Sequence, residues 1–234
     1  MTGQIIHHER VDRSGILRQE QRPGRTVLIA AAVVVMITVL GFLLRSHPVD
    51  ASLTTWLNSA HVGVIAAISN GVYAAFSPAP AIVITIVITA LVWLRSRRLQ
   101  AAAAFAGTVA ITWIPSDVIK LLVDRPRPDV ATLSHPFTPA QVDPSFPSGH
   151  AAFVTALVVA LLFLAGNNAH RRAVLAGGVL LVALVAIALS IDAVHYPTDV
   201  LASIAWSAAV APAARFLAAN VILPRVPGLR PLKD

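Results

Sequence analysis

Apolar residues occur in long uninterrupted blocks along this chain, and short polar or basic segments separate the blocks. An amphipathic helix of a soluble protein would instead keep a polar stripe along one face. A long block without charge suits a helix surrounded by lipid, because a helical backbone satisfies its own hydrogen bonds there. The pattern therefore predicts an all-α, polytopic membrane protein with about six transmembrane helices.

Six of these blocks are interpreted as spans, although the second is short. They cover Val27–Leu44, Ala81–Leu94, Leu99–Val123, Ala151–Ala165, Ala173–Leu189 and Val200–Leu223. The first block is longer than the apolar core of a signal peptide, about 7–15 residues, and no cleavage box follows it, which favours an uncleaved span. Pro115 predicts a bend or interruption in the third span.

The segment between the first two spans, Val49–Phe76, begins polar and becomes apolar. This pattern is typical of an amphipathic helix at the membrane interface, and the prolines of Ser77–Pro80 are expected to end it. The predicted organisation is a polar segment over residues 1–25, disordered or interfacial, followed by a membrane domain over 26–223. A C-terminal tail covers residues 224–234.

Composition excludes several other classes of protein. Only 12% of the residues are charged and 56% are hydrophobic, whereas a soluble domain carries about 25% charged residues. The net charge of +7 comes from basic residues in short loops, not from one basic face, which argues against a nucleic-acid partner. The chain contains no cysteine, and its eight histidines show no zinc-ligand spacing. The sequence therefore predicts no metal or other cofactor, and leaves the oligomeric state open.

The distribution of basic residues predicts the orientation in the cell membrane. With a cytoplasmic N-terminus, 14 of the 18 Lys and Arg residues lie in cytoplasmic segments. The other four are Arg45, Lys120, Arg125 and Arg127. The positive-inside rule then predicts that both termini are cytoplasmic and that the loop Asp124–Pro147 is extracytoplasmic.

Three short segments place reactive side chains at the ends of spans, all at the predicted outer surface. They are Lys120–Pro128, Pro147–His150 and His195–Asp199. Each segment alone has an ordinary explanation, as an interfacial anchor, a helix start or a local hydrogen bond. Because all three fall on one surface, we expect them to form one site.

The first two segments have the chemistry of an anion site. Lys120 and Arg127 supply positive charge, and a guanidinium can bind two phosphate oxygens at once. Ser148 and Gly149 open a predicted helix, where free amides and the helix dipole favour an anion. Glycine also lets the backbone approach a ligand closely.

The histidines add reactive groups to this anion site. His150 is placed to protonate a leaving oxygen. His195 and Asp199 are four residues apart, so on a helix they would share a face and the carboxylate could hold one ring nitrogen. The other ring nitrogen of His195 would then be free to attack phosphorus. A transporter is disfavoured, because its ionisable residues would lie near the membrane midplane.

These segments resemble the three signature motifs of the type 2 phosphatidic acid phosphatase superfamily, which includes bacterial lipid phosphatases. The matching residues are Lys120 with Arg127 and Pro128, then Pro147 to His150, then His195 with Asp199. The resemblance implies a metal-independent enzyme in which Lys120, Arg127, Ser148 and Gly149 bind phosphate. It further implies that His195 is phosphorylated, that Asp199 orients it and that His150 protonates the leaving group. The implied substrate is a membrane lipid phosphate of the phosphatidate, phosphatidylglycerol phosphate or polyprenyl phosphate class.

One family position differs in this chain. The third motif begins with Ser-Arg, whereas this sequence has Ala188 and Leu189 there, and Asp192 adds negative charge nearby. Arg125 is a further candidate for the phosphate, in place of the absent arginine. If the missing charge weakens the enzyme, a Leu189→Arg variant should release more phosphate. The alternatives are a lipid phosphotransferase and a non-catalytic homologue that binds lipid phosphate.

Overall fold

The computed structural model describes residues 15–229, and helices dominate this range. In chain order they are α1 (Pro23–Ser46), α2 (Ala51–Asn58), α3 (Gly63–Ala75), α4 (Pro78–Ser96), α5 (Leu99–Val123), α6 (Gly149–Leu164), α7 (Asn168–Ile191) and α8 (Pro197–Phe216). Helix α8 continues through a wider π turn over Leu217–Ile222 and a 3₁₀ turn over Leu223–Arg225. No strand occurs between residues 15 and 229, so the all-α prediction is confirmed there.

Long apolar helices make this a multi-pass membrane protein. Five helices are long and apolar enough to cross a membrane: α1, α4, α5, α7 and α8 with its extension. Their outward side chains are apolar as well, including Leu28, Leu121 and Leu180, each more than two-thirds exposed. Such a surface suits lipid and not water. The predicted fourth span is α6, whose 16 residues correspond to about 24 Å of helix, short of a hydrocarbon core of about 30 Å. The count of six therefore stays a prediction.

Helix α6 lies at the centre of the bundle, where α5, α7 and α8 pack around it. The residues from Ala151 to Val158 are all buried. Helix α7 can approach α6 closely because residue 178 is glycine: a Cβ atom there would lie only 2.3 Å from Cγ1 of Val158. This close packing holds the middle of α6 against α7.

The predicted single interfacial helix and the predicted interruption at Pro115 differ from the structure. The segment Val49–Phe76 forms two helices, α2 and α3, instead of one, because the chain turns between Asn58 and Gly63, and Gly63 has a φ of +52°. Helix α5 has the predicted bounds and runs through Pro115 without interruption.

The described residues before α1 contact the bundle. Ile16 is fully buried in the main apolar core. Arg215 of α8 donates hydrogen bonds to the carbonyl of Arg18 at 2.6 Å and to the carboxylate of Glu20 at 2.7 Å. The segment from residue 15 onward is therefore docked on the bundle. Arg10, Arg13, Arg230 and Lys233, which contribute to the predicted orientation, lie outside the described residues.

Candidate active site

His195 lies in the short connection between α7 and α8, and its side chain is fully buried. Its Nδ1 atom is 2.8 Å from the carbonyl oxygen of Ser145. A carbonyl only accepts, so Nδ1 carries the proton and Nε2 keeps its lone pair. Nε2 has no hydrogen-bond partner among the described residues. Burial, together with the charges of Arg127 and Lys120, lowers the pKa of His195 well below its usual value. The imidazole is therefore neutral and has one free nitrogen.

Asp199 is close to His195 but makes its hydrogen bonds elsewhere. Helix α8 begins at Pro197, so His195 precedes the helix, and the prediction that the two residues share a helical face is wrong. Pro197 at the first helical position explains this start. One carboxylate oxygen accepts from the backbone N–H of Tyr196 at 2.9 Å, and lies 3.7 Å from Nδ1 of His195. That distance is too long for a hydrogen bond, although the negative charge still faces the ring.

Arg125 is buried and binds carboxylates of its own protein. Its guanidinium donates to Asp199 at 2.5 Å, to Asp50 at 3.1 Å and to the hydroxyl of Thr198 at 2.8 Å. It also lies over the ring of Tyr196, 4.0 Å from the centroid. Asp50 precedes α2 and accepts the backbone N–H of Thr198 at 2.8 Å. This network joins the start of α2 to the start of α8. The contacts favour a positioning role for Arg125 over direct phosphate binding.

Lys120 and Arg127 both bind the carboxylate of Asp143. One oxygen of Asp143 accepts from the ammonium of Lys120, and the other accepts from Nη2 of Arg127 at 2.8 Å. The backbone carbonyl of Asp143 accepts from Nε of Arg127 at 2.8 Å, and the carbonyl of Val194 accepts from Nη1. The two predicted phosphate-binding cations thus converge on a single anion.

The second motif forms the start of α6. Ser148 caps the helix, its hydroxyl accepting from the N–H of Ala151 at 3.5 Å, and it is fully buried. Gly149 follows at the first helical position; a Cβ atom there would only touch Asp117 and Trp113 at ordinary distances, 3.6 and 3.8 Å. The space around Gly149 therefore does not by itself require a glycine.

His150 lies one residue further along α6. Its ring stacks on that of Tyr73, with centroids 4.4 Å apart, and meets the ring of His195 edge-on at 6.5 Å. Nε2 of His150, like that of His195, has no hydrogen-bond partner within residues 15–229. Two histidines with free nitrogens therefore lie next to the two cations. The structure brings all three predicted segments together at one end of the bundle.

Sequence reasoning missed four residues that shape this site: Tyr73, Asp143, Ser145 and Asp50. Tyr73 donates its hydroxyl proton to the side chain of Gln141 at 2.8 Å, linking α3 to the loop before α6. Asp143 and Ser145 lie only a few residues before Pro147. Their position close to the second motif was the sequence signal that could have identified them.

The position that departs from the third motif is buried. Leu189 is fully enclosed in the main apolar core, and Asp192 faces His61 at 3.4 Å. Burial raises the pKa of the Asp192 carboxyl to about 6. A cavity of about 20 Å³ lies between Asp192 and Arg127. This volume holds one water molecule, so the structure leaves no space there for a phosphate group.

Between residues 15 and 229, no three His, Cys, Asp or Glu side chains are grouped as metal ligands would be. The absence of a metal requirement stays a prediction.

A family model described as the PAP2 superfamily matches residues 98–221, which is more than half of the chain and includes all three motifs. The chain belongs to the PAP2 superfamily. Its fold is similar to the crystal structure of a transmembrane PAP2-type phosphatidylglycerolphosphate phosphatase from Bacillus subtilis, with a TM-score of 0.67. The two chains are 16% identical, and the match covers 85% of this chain and 98% of the other. A search of curated proteins gives no significant match. Membership in the PAP2 superfamily supports lipid phosphatase activity at the family level.

Proposed function

We propose that this PAP2 protein hydrolyses a phosphomonoester or diphosphate of a membrane lipid through a phosphohistidine on His195. The observation that carries the proposal is the buried, neutral imidazole of His195, with a free Nε2 beside two cations. Phosphatidylglycerol phosphate is one substrate to test first, because the structurally similar enzyme is named for it. Phosphatidate and polyprenyl phosphates are the other classes.

In the proposed first step, Nε2 of His195 forms a bond to phosphorus while the bond from phosphorus to the lipid oxygen breaks. His150, protonated, gives its proton to that leaving oxygen. The carbonyl of Ser145 holds the Nδ1 proton, and the nearby carboxylate of Asp199 stabilises the positive charge that develops on the ring. Lys120 and Arg127, with the amides of Ser148 and Gly149, neutralise the phosphoryl oxygens.

In the second step, water attacks the phosphohistidine and His150 takes a proton from that water. The bond between phosphorus and Nε2 breaks, and orthophosphate leaves. Transfer to an alcohol in place of water would make the protein a phosphotransferase. The observation that favours a non-catalytic homologue instead is Leu189 at the position where the family has arginine.

The test is phosphate release by the detergent-solubilised protein, with EDTA present, from a panel of lipid phosphates. His195→Ala should abolish both turnover and the base-stable, acid-labile phosphoenzyme. His170→Ala is the matched control, because His170 is exposed near the start of α7. Phosphate release by the His195 variant at the rate of the parent protein would contradict the mechanism. Binding of lipid phosphate without release would favour the non-catalytic alternative.

We also propose that the site faces the extracytoplasmic side and that both termini are cytoplasmic. The support is the asymmetric distribution of Lys and Arg along the sequence.

A further inference from the structure

The loop before α6 crosses the candidate site between two fixed points. At one end, the side chain of Gln141 is held by the hydroxyl of Tyr73 at 2.8 Å. At the other, the backbone N–H of Ser145 donates to the carbonyl of Arg125 at 2.8 Å, and its hydroxyl donates to the carbonyl of Pro126 at 3.1 Å. Between them Val142 is 99% exposed, and the side chain of Asp143 is half exposed. The side chain of Asp143 is therefore open to solvent on one side, between two anchored residues.

The contacts of Asp143 are those of a phosphate mimic. A carboxylate has two oxygens and one negative charge, and here each oxygen binds one of the two predicted phosphate-binding cations. Partial burial raises the pKa of Asp143, but the hydrogen bonds and charges of Lys120 and Arg127 lower it by more, so the group is ionised at neutral pH. A substrate phosphate that bridges these two cations as the carboxylate does must take its place.

Displacement of the Asp143 carboxylate discriminates between phosphodiesters and phosphomonoesters at a membrane surface. A phosphodiester headgroup carries one negative charge and two free oxygens. If it replaces the Asp143 carboxylate, the negative charge that the two cations bind is unchanged. A phosphomonoester carries about 1.5 to 2 negative charges at pH 7 and three free oxygens. Its exchange brings added attraction to both cations. Ordinary phosphodiester lipids greatly outnumber a phosphomonoester substrate in a membrane, so this difference decides which molecule occupies the site.

From these contacts we infer that Asp143 is a specificity-determining residue: it occupies the cation pair as an internal competitor, and excludes phosphodiester lipids from a site that admits phosphomonoesters and diphosphates. The inference rests on the proposed function for the identity of the substrate. The occupation of Lys120 and Arg127 by Asp143 is independent of turnover. Asp143 contacts cations that bind the phosphate, so it acts as a positioning and selecting group and not as a catalytic residue.

The test compares anion binding by Asp143→Asn and the parent protein, measured calorimetrically in detergent with orthophosphate and with dimethyl phosphate, a diester monoanion. Without the internal competitor, orthophosphate should bind about tenfold more tightly, because the carboxylate no longer occupies Lys120 and Arg127. Dimethyl phosphate should bind the variant measurably and the parent protein much more weakly. Asp143→Glu, which keeps the charge, should behave like the parent protein. Asp124→Asn is the matched control, because Asp124 pairs with Arg45 in an exposed position at 3.2 Å.

In a kinetic version of the test, phosphatidylglycerol is added as a competitor of the best lipid phosphate substrate. Asp143→Asn should lower the KM and become several-fold more sensitive to phosphatidylglycerol. The inference would be overturned if Asp143→Asn kept the parent's melting temperature but bound orthophosphate more weakly or showed unchanged selectivity. Asp143 would then only orient the cations. Failure of the proposed function looks different: no lipid phosphate would be hydrolysed, while the shift in orthophosphate binding would persist.

Discussion

His195 and Ser145 are fifty residues apart in the sequence and are joined by a hydrogen bond of 2.8 Å from Nδ1 to a backbone carbonyl. A carbonyl cannot change its protonation state, so this bond fixes one tautomer of His195 at every pH where the ring is neutral. A carboxylate in the same position would hold the proton with its charge and would raise the pKa of the ring. The carbonyl therefore fixes the tautomer of His195, while burial and the charges of Arg127 and Lys120 keep its pKa low.

The first prediction concerns pH. The pKa of His195 is lowered by burial and by two cations, so protonation of the nucleophile begins only well below the usual histidine value of about 6.5. The ionisation of the substrate is measured by ³¹P NMR, and kcat/KM is corrected for it. We expect the corrected kcat/KM to show no decrease caused by protonation of His195 as the pH falls through 6.5. An acid limb at pH 6.5 that remains after this correction, and also in Asp192→Asn, would show that the ring is not held in the neutral form, since the pKa of Asp192 is itself about 6.

The second prediction separates His150 from His195. His150→Ala should lower turnover of a lipid phosphate by about 10²–10⁴-fold, the usual contribution of a general acid. An aryl phosphate with an acidic phenol as leaving group needs no proton, so its hydrolysis should be much less affected. Comparison of the two substrates in single-turnover assays measures this difference. Equal losses with both substrates would remove the support for a general-acid role.

The third prediction concerns the network around Arg125. Arg125→Ala would leave the buried carboxylates of Asp199 and Asp50 without their cation, which should lower the free energy of unfolding by about 3–5 kcal/mol. Arg125→Lys should recover only part of this, because one ammonium cannot replace the planar fork that reaches three partners. Thermal unfolding in detergent is the measurement.

Arg45→Ala is the control for this network, because it removes an ion pair that is 44% and 60% exposed and one hydrogen bond to the carbonyl of Val123. Such a pair contributes about 0–1 kcal/mol. If Arg125→Ala were as stable as the parent protein but had selectively lost phosphate binding, Arg125 would instead be a substrate-binding residue.

Sequence reasoning predicted best where a single local signal determines the structure. Helix α5 has the predicted bounds, and residues with positive φ, Arg97 and Asp124, lie at its two ends. The pairing of His195 with Ser145, and of both cations with Asp143, depends on how a long loop folds back over the helices, and no periodicity encodes that. The helical relationship assumed for His195 and Asp199 was avoidable, since Pro197 marks the first residue of a helix.

The fourth prediction tests the orientation by cysteine labelling in intact cells. A cysteine at Ser134, which is exposed in the loop before α6, should react with an impermeant thiol reagent. A cysteine at Asn168 should react only after the membrane is permeabilised. Asn168 is preferable to Asn167, whose side chain caps α7 by accepting the N–H of His170 at 2.8 Å. The chain has no cysteine of its own to confuse the result. Labelling at Asn168 alone would place the site in the cytoplasm.

The last prediction concerns the position where the family has arginine. From the sequence, Leu189→Arg was expected to raise phosphate release, but Leu189 is fully buried in the apolar core. A guanidinium there would be desolvated without a prepared partner, at a cost of several kcal/mol. We therefore expect Leu189→Arg to lower the melting temperature strongly and to give no gain in activity. Leu189→Met, which conserves volume, should change stability by less than about 1.5 kcal/mol. Should Leu189→Arg instead melt like the parent protein and release phosphate faster, the side chain must reach the cation pair, and the absent arginine would be what limits this enzyme.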